Sequence, residues 1–254
     1  MSTLTLTALQ EVPLIRQGDN LADIFANALH ENTVSLEDND ILVIAQKIVS
    51  KAEGRFINLS QVTPSPRAIE LAEKTEKDAR LVDLILQESK EVLRTRIGTI
   101  IVEHKLGFVC ANAGIDHSNV TGDESEEWVL LLPKEPDRTA EMIRQEVQSK
   151  TGKQIGILII DSHGRAWRNG TVGVAIGIAG LPGLQDLRGE QDLFGSTLQI
   201  TQVGVADELA AAASLIMGQA AEGTPVVHVR GFPYPLREGA LSELLRPKEQ
   251  DLFR

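Results

Sequence analysis

QIGILIIDSHGRAWRNGTVGVAIGIAG, residues 154–180, reads as two strands around a polar centre. Gln154 to Ile160 is an apolar run of the length of a buried strand, and it ends at Asp161. Asn169-Gly170 is a turn signal, and Thr171 to Gly180 is strand-like again, interrupted by Gly173, Gly177 and Gly180. The first half therefore delivers an aspartate into a Ser/His/Gly turn. The same design occurs upstream, where the strand-like segment Gly107 to Ala111 runs into the turn of CANAGIDHSN, Cys110 to Asn119. A turn of Asn, Gly, Asp and Ser can offer carboxylate oxygens and backbone N–H groups to a ligand, and can equally be an ordinary polar connection.

Working outward, Leu4 to Leu9 alternate as a strand, and Asn20 is placed to cap a helix from Leu21 to His30. Ile41 to Ala45 read as a buried strand leading into Gln46-Lys47 and Lys51, where two lysines four apart could hold phosphates or simply form a solvated face. Pro66 opens one helix, and a second is predicted from about Asp78 to Thr95 on the spacing of Leu81, Leu84, Ile85 and Val92. Thr99 to Val102 and Gly107 to Ala111 are predicted as paired strands, with His104 as a solvated hairpin residue. Gly122 to Glu127 is an acidic loop. Asp137 is expected to cap a helix through Lys150 that Gly152 stops, and Asp207 one from Glu208 to Gln219. Leu181 to Gly195 reads as loop, Thr197 to Val205 and Val226 to Val229 as strands.

Composition narrows the chemistry. The 254 residues carry 36 acidic against 25 basic side chains, a net charge of −11, which disfavours a basic face for nucleic acid. Aromatic residues are 4%, too few for base-stacking platforms. A single cysteine, Cys110, allows no disulfide within the chain and no cysteine-based zinc site. The N-terminus lacks a signal-peptide pattern, and the apolar runs fall short of a membrane span. The expectation is a cytoplasmic protein with no membrane or nucleic-acid partner. No P-loop, dinucleotide fingerprint or nucleophile elbow is present. Asp116, Asp161 and the hydroxyl of Ser162 supply hard oxygen donors suited to a divalent cation, while His117 and His163 read as solvated or hydrogen-bonding residues.

VPLIRQGD (12–19), IVSKAEGR (48–55), NAGIDHSN (112–119), IIDSHGRAWRNGTVGVAIGIAG (159–180), DLFGSTL (192–198), VADELAAAASLIMGQ (205–219) and VVHVRGF (226–232) follow one another across nearly the whole chain. In that order they resemble the coenzyme F420-0:L-glutamate ligase family, the F420 γ-glutamyl ligases of deazaflavin cofactor synthesis. The resemblance implies an α+β fold with a mixed, barrel-like sheet core flanked by helices. It implies one ligase domain over residues 1–254, without the C-terminal nitroreductase-like domain of some relatives, and a homodimer. It implies GTP-dependent addition of L-glutamate to coenzyme F420-0 through an acyl phosphate, with release of GDP and phosphate and further γ-linked additions. Two divalent ions, Mg²⁺ or Mn²⁺, are expected, with K⁺ as an additional candidate. Carried over by motif, Asp116, Asp161, Ser162 and Gln219 correspond to metal ligands. Val12, Pro13, Leu14, Ile15, Gln46, Lys47, Lys51, Asn119 and the run Met217, Gly218, Gln219, Ala220, Ala221, Glu222, Gly223 and Thr224 correspond to GTP contacts. Gln219 is a neutral amide where a carboxylate would bind a second ion more tightly. Two alternatives stay open: a related glutamate ligase with another carboxylate acceptor, and a protein that binds GTP without turnover.

Overall fold

The structure is a computed structural model that describes residues 3–117 and 127–253. In chain order the elements are β1 (Thr5–Ala8), α1 (Leu21–Glu31), β2 (Ile41–Ala45), α2 (Gln46–Ala52), β3 (Phe56–Asn58), α3 (Pro66–Thr75), α4 (Ala79–Gln87), β4 (Ser89–Arg96), β5 (Thr99–His104) and β6 (Val109–Ala111). They continue with β7 (Trp128–Leu130), α5 (Pro136–Thr151), β8 (Gly156–Arg165), β9 (Arg168–Ala179), β10 (Gln185–Asp186), β11 (Gln202–Val203), α6 (Val205–Met217) and β12 (Val226–Arg230). Of the acidic loop expected at 122–127, only Glu127 is among the described residues.

Five strands form the main sheet in the order β1-β12-β2-β8-β9. β2 and β8 are parallel and the other neighbours antiparallel. The α+β class expected from the sequence is the one observed. The barrel-like core is not: the sheet is open, with β1 and β9 at its edges.

Side-chain alternation divides the core into two layers. Leu42, Ile44, Ile157 and Ile159 face one way, toward α1 and α5, with Phe25, Ala28, Ala140 and Ile143. Ile41, Val43, Leu158 and Ile160 face the other way, toward Ala206, Leu209, Ala210 and Ala213 of α6. A third core belongs to a lobe built from α3, α4 and the three-stranded sheet β4-β5-β6, with Ala68, Val82, Ile85, Ile100 and Val102 at its centre. Phe108 packs against both the α1/α5 layer and the lobe core.

The glycines that interrupt β9 have a packing reason. A Cβ on Gly173 would lie 2.4 Å from the carbonyl oxygen of Ala210, and one on Gly177 would lie 2.7 Å from the backbone of Pro136. Their bare backbone admits α6 and α5 to the strand.

Several expected boundaries shift. The predicted helix Asp78–Thr95 ends at Gln87, and its second half becomes β4, whose backbone pairs with β5. Asp137 and Asp207 are not caps; they lie in the first turns of α5 and α6. There the Asp137 carboxylate accepts the N–H groups of Ile178 and Leu241, and Asp207 accepts that of Ala175. Burial raises the proton affinity of both acids. The polar centre of the opening stretch is no loop either. Asp161 to Gly164 pair with Thr171 to Val174 inside the β8–β9 ladder, so the reversal falls at Ala166-Trp167 and Asn169-Gly170 is a bulge-like irregularity. Trp167 there takes φ +64°. Of the strand expected at 197–205, Gln202–Val203 forms a two-residue strand and Thr197 an isolated bridge to Gln191.

Candidate metal and nucleotide site

The C-terminal ends of the parallel pair β2 and β8 carry the chemistry. In open sheets this end gathers ligands, because loops diverge there and leave a crevice. β2 passes directly into α2, so Gln46 and Lys47 emerge at this edge. Asp161 lies on β8 one residue past Ile160, where the pairing with β2 ends at Ala45.

Asp116 arrives from the lobe. The short 3₁₀ turn Asn112–Gly114 has left-handed φ at all three residues and swings the chain out of β6. The Asp116 backbone then exchanges two 2.9 Å hydrogen bonds with Leu130. Gln46 Nε2 donates to Asp116 Oδ2 at 2.6 Å, and Lys47 Nζ lies 3.4 Å from Oδ1. Ser50 Oγ donates to Gln46 Oε1 at 2.9 Å, which fixes the amide with its nitrogen toward the carboxylate. Burial raises the proton affinity of Asp116; Lys47 opposes the rise and the nearby charge of Asp161 adds to it. Two carboxylates held where their charges repel suit a hard divalent ion. Among the described residues no cluster of three or more His, Cys, Asp or Glu forms, so further ligands must be neutral oxygens, phosphates or water.

Asp161 Oδ2 accepts a hydrogen bond from His163 Nε2 at 3.0 Å, on the same face of β8. Ser162 points to the opposite face, where its Oγ donates to Gln219 Oε1 at 2.9 Å. Gln219 Nε2 donates in turn to Ser214 Oγ of α6 at 2.9 Å. The four expected metal ligands thus fall into two pairs, Asp116 with Asp161 and Ser162 with Gln219.

The expected nucleotide segments lie around this edge. α6 ends at Met217, and Gly218 turns the chain at φ +75° with the Glu222 side chain folded over it. Thr224 Oγ1 donates to the carbonyl of Met217 at 3.1 Å, and the next residue, Pro225, accepts the N–H of Ala45 at the end of β2. The segment Val12–Ile15 lies between β1 and α1. Ile15 is buried, Val12 half-buried, and Pro13 and Leu14 exposed. Gly18 just beyond it donates to the carbonyl of Ala52 at the end of α2. Lys51 has its proton affinity lowered by burial and by the charge of Lys47. Asn119 lies outside the described residues.

A scan against family models matches residues 10–231 to "F420-0:Gamma-glutamyl ligase". The chain belongs to this family. Proteins named coenzyme F420:L-glutamate ligase are similar over almost their full lengths. That of Methanothermobacter thermautotrophicus is 49% identical, covering 99% of both chains. That of Methanocaldococcus jannaschii is 46% identical, over 96% of this chain and 94% of the relative, and that of Archaeoglobus fulgidus 43% identical, over 96% and 93%. Among the described residues no helix is long and apolar enough to cross a membrane.

Within this γ-glutamyl ligase fold, sequence reasoning missed two residues beside the site, Phe108 and Ser214. Phe108 packs on His163, which is half-buried and takes the hydrogen-bonding role expected of it, on Asp161, and Ser214 orients Gln219. The i, i+2 spacing of Asp161 and His163 would have signalled their contact had β8 been extended past Ile160. His104, expected in solvent, is buried. Its Nδ1 accepts the N–H of Leu106, and burial, with Arg55 nearby, pushes its pKa down to about 4. Burial pushes the Cys110 thiol up to about 12, which keeps it protonated.

Proposed function

We propose that this chain joins L-glutamate to coenzyme F420-0 at the expense of GTP. The reading rests above all on the convergence of Asp116 and Asp161 at the carboxyl ends of β2 and β8, with Gln46 and Lys47 beside them, in a chain of the γ-glutamyl ligase family. The acceptor carboxylate attacks the γ-phosphorus of GTP, the bond to GDP breaks, and an acyl phosphate forms. The glutamate amine attacks the acyl carbon, phosphate leaves, and the nitrogen releases a proton. Repetition on the new terminus gives γ-linked glutamates.

When bound, two divalent ions, Mg²⁺ or Mn²⁺, neutralise phosphate charge and stabilise the transferring phosphoryl group, and K⁺ is a further candidate. Asp116 and Asp161 are the carboxylates that would hold them, with Ser162 and Gln219 as neutral donors. Lys47 and Lys51 bring positive charge to the polyphosphate. Val12–Ile15, Asn119 and the Met217–Thr224 loop frame the nucleotide. The protein acts as a homodimer, a reading supported by the exposed Leu193, Phe194 and Ile200 on the segment around β10 and β11.

Purified protein given F420-0, L-glutamate, GTP and Mg²⁺ or Mn²⁺ should yield products heavier by successive glutamate residues. Mass spectrometry reads this directly, and no such products beside an active control enzyme would sink the proposal. A panel of other carboxylate acceptors in the same assay separates a related ligase. The neutral amide of Gln219 favours one second reading, GTP binding without turnover. GDP release that depends on both glutamate and acceptor excludes it.

A further inference from the structure

Asp161 is held from behind by a stack of rings that crosses between the two parts of the molecule. His104 and Phe108 stack with centroids 5.2 Å apart and planes 7° from parallel. Phe108 meets the His163 ring at 5.1 Å and 53°. His163 Nε2 reaches Asp161 Oδ2 at 3.0 Å, with only 11% and 14% of the two side chains exposed. The far end of the stack is anchored by the hydrogen bond from the Leu106 N–H to His104 Nδ1 at 3.0 Å. His163 therefore has a ring on its flank and a fixed acceptor at its tip. Its χ angles have little freedom, and neither has the carboxylate it holds. Among the described residues Oδ1 of Asp161 has no hydrogen-bond partner, so one oxygen is tethered and the other is left for a ligand.

We infer that His163 is a positioning residue: it fixes the Asp161 carboxylate through Oδ2 so that Oδ1 is presented to a divalent cation, and Phe108 fixes His163. The inference rests on the cation-binding role proposed above for Asp161. A partner behind a metal-ligating carboxylate raises affinity by removing the entropy that the carboxylate would lose on binding, and losing such a partner costs 10–100-fold in metal affinity or activity as an order of magnitude. Because Phe108 contacts both cores, the stack also ties the lobe that carries Asp116 to the strand that carries Asp161.

The test is a Mn²⁺ titration of the metal-free protein, read by the electron paramagnetic resonance of the free ion, for wild type, Asp161→Asn, His163→Ala and His163→Gln. Thermal unfolding of each metal-free variant is measured alongside. The expected result is measurable binding in wild type, loss in Asp161→Asn, and binding weakened roughly 10- to 100-fold in His163→Ala. Most of it should return in His163→Gln, whose amide can donate to the same oxygen. In turnover, His163→Ala should raise the metal concentration for half-maximal rate while the KM for glutamate stays put. Wild-type Mn²⁺ affinity in His163→Ala with a defective Asp161→Asn overturns the positioning role alone. Equal weakening in both His163 variants, with equal loss of thermal stability, overturns it too. Unchanged binding in Asp161→Asn removes the carboxylate site itself, and the functional reading with it.

Discussion

Single residues here separate what serves the fold from what serves the site. Asp40 is buried at the N-terminal end of β2, where Arg230 Nε and Nη2 and His228 Nε2 converge on its carboxylate at 2.7–2.9 Å and the Glu37 N–H adds a fourth donor. Burial pushes its proton affinity up, but Arg230, His228 and the backbone donor outweigh it, and the net shift is downward. A carboxylate whose folded pKa is depressed stabilises the native state above its unfolded value of about 4, and that contribution is lost as pH falls through the folded value. Asp40→Asn should therefore cost about 3 kcal/mol near neutral pH, and the gap to wild type should close in acid. Urea unfolding at a series of pH values measures it; a gap that does not vary with pH would refute the assignment. Asp116 predicts the opposite pattern. Its net shift is upward, so its charge is a burden on the native state. Asp116→Asn should leave stability unchanged or up to about 1 kcal/mol higher, while turnover falls on the order of 100-fold or more. Melting curves and the ligation assay, run on one preparation, test both halves.

At the scale of elements, the packing of β9 makes a sharp prediction. Gly173→Ala drives a methyl into the α6 backbone and should cost about 1–3 kcal/mol or more, as overpacking does. Gly164, near the tip of the same hairpin, has ordinary φ and open space at its Cβ position, so Gly164→Ala should change stability by less than about 0.5 kcal/mol. Denaturant midpoints compare the two. These elements also mark where sequence reading succeeds. The apolar runs of β2, β8 and β12, the Asn20 cap and the Gly152 stop were legible, because each rests on local periodicity or one side chain. Asp78–Thr95 misled because Val92 fits helical spacing as well as strand alternation; only pairing with β5 decides. Asp137 and Asp207 looked like caps because a carboxylate near a helix start usually serves that helix, whereas these serve β9 and the Leu241 N–H. The two aspartates of the site were legible as residues, but their proximity was not, since one comes from the lobe and the other from the main sheet.

For the whole molecule, the proposed homodimer would be seated on the exposed apolar side chains of the β10–β11 segment. Leu193 and Phe194 are 93% and 90% accessible in the isolated chain. Light scattering should give twice the 27.6 kDa chain mass, and a Leu193→Asp/Phe194→Asp pair should shift the protein toward monomer. A monomeric wild type at micromolar concentration would refute the dimer. The parallel pairing of β2 with β8 also has a kinetic side. Ile41 lies against Gly156, 115 residues further along the chain, and the whole lobe is threaded between them. Closing so long a loop is entropically slow, whereas the α3–α4 hairpin and the β4-β5-β6 meander need only near neighbours. Asp116 can therefore stand in a folded lobe before Asp161 has a sheet to stand in. The pairing of these two carboxylates comes late in folding, and during unfolding it should be lost early, while much of the helix content survives.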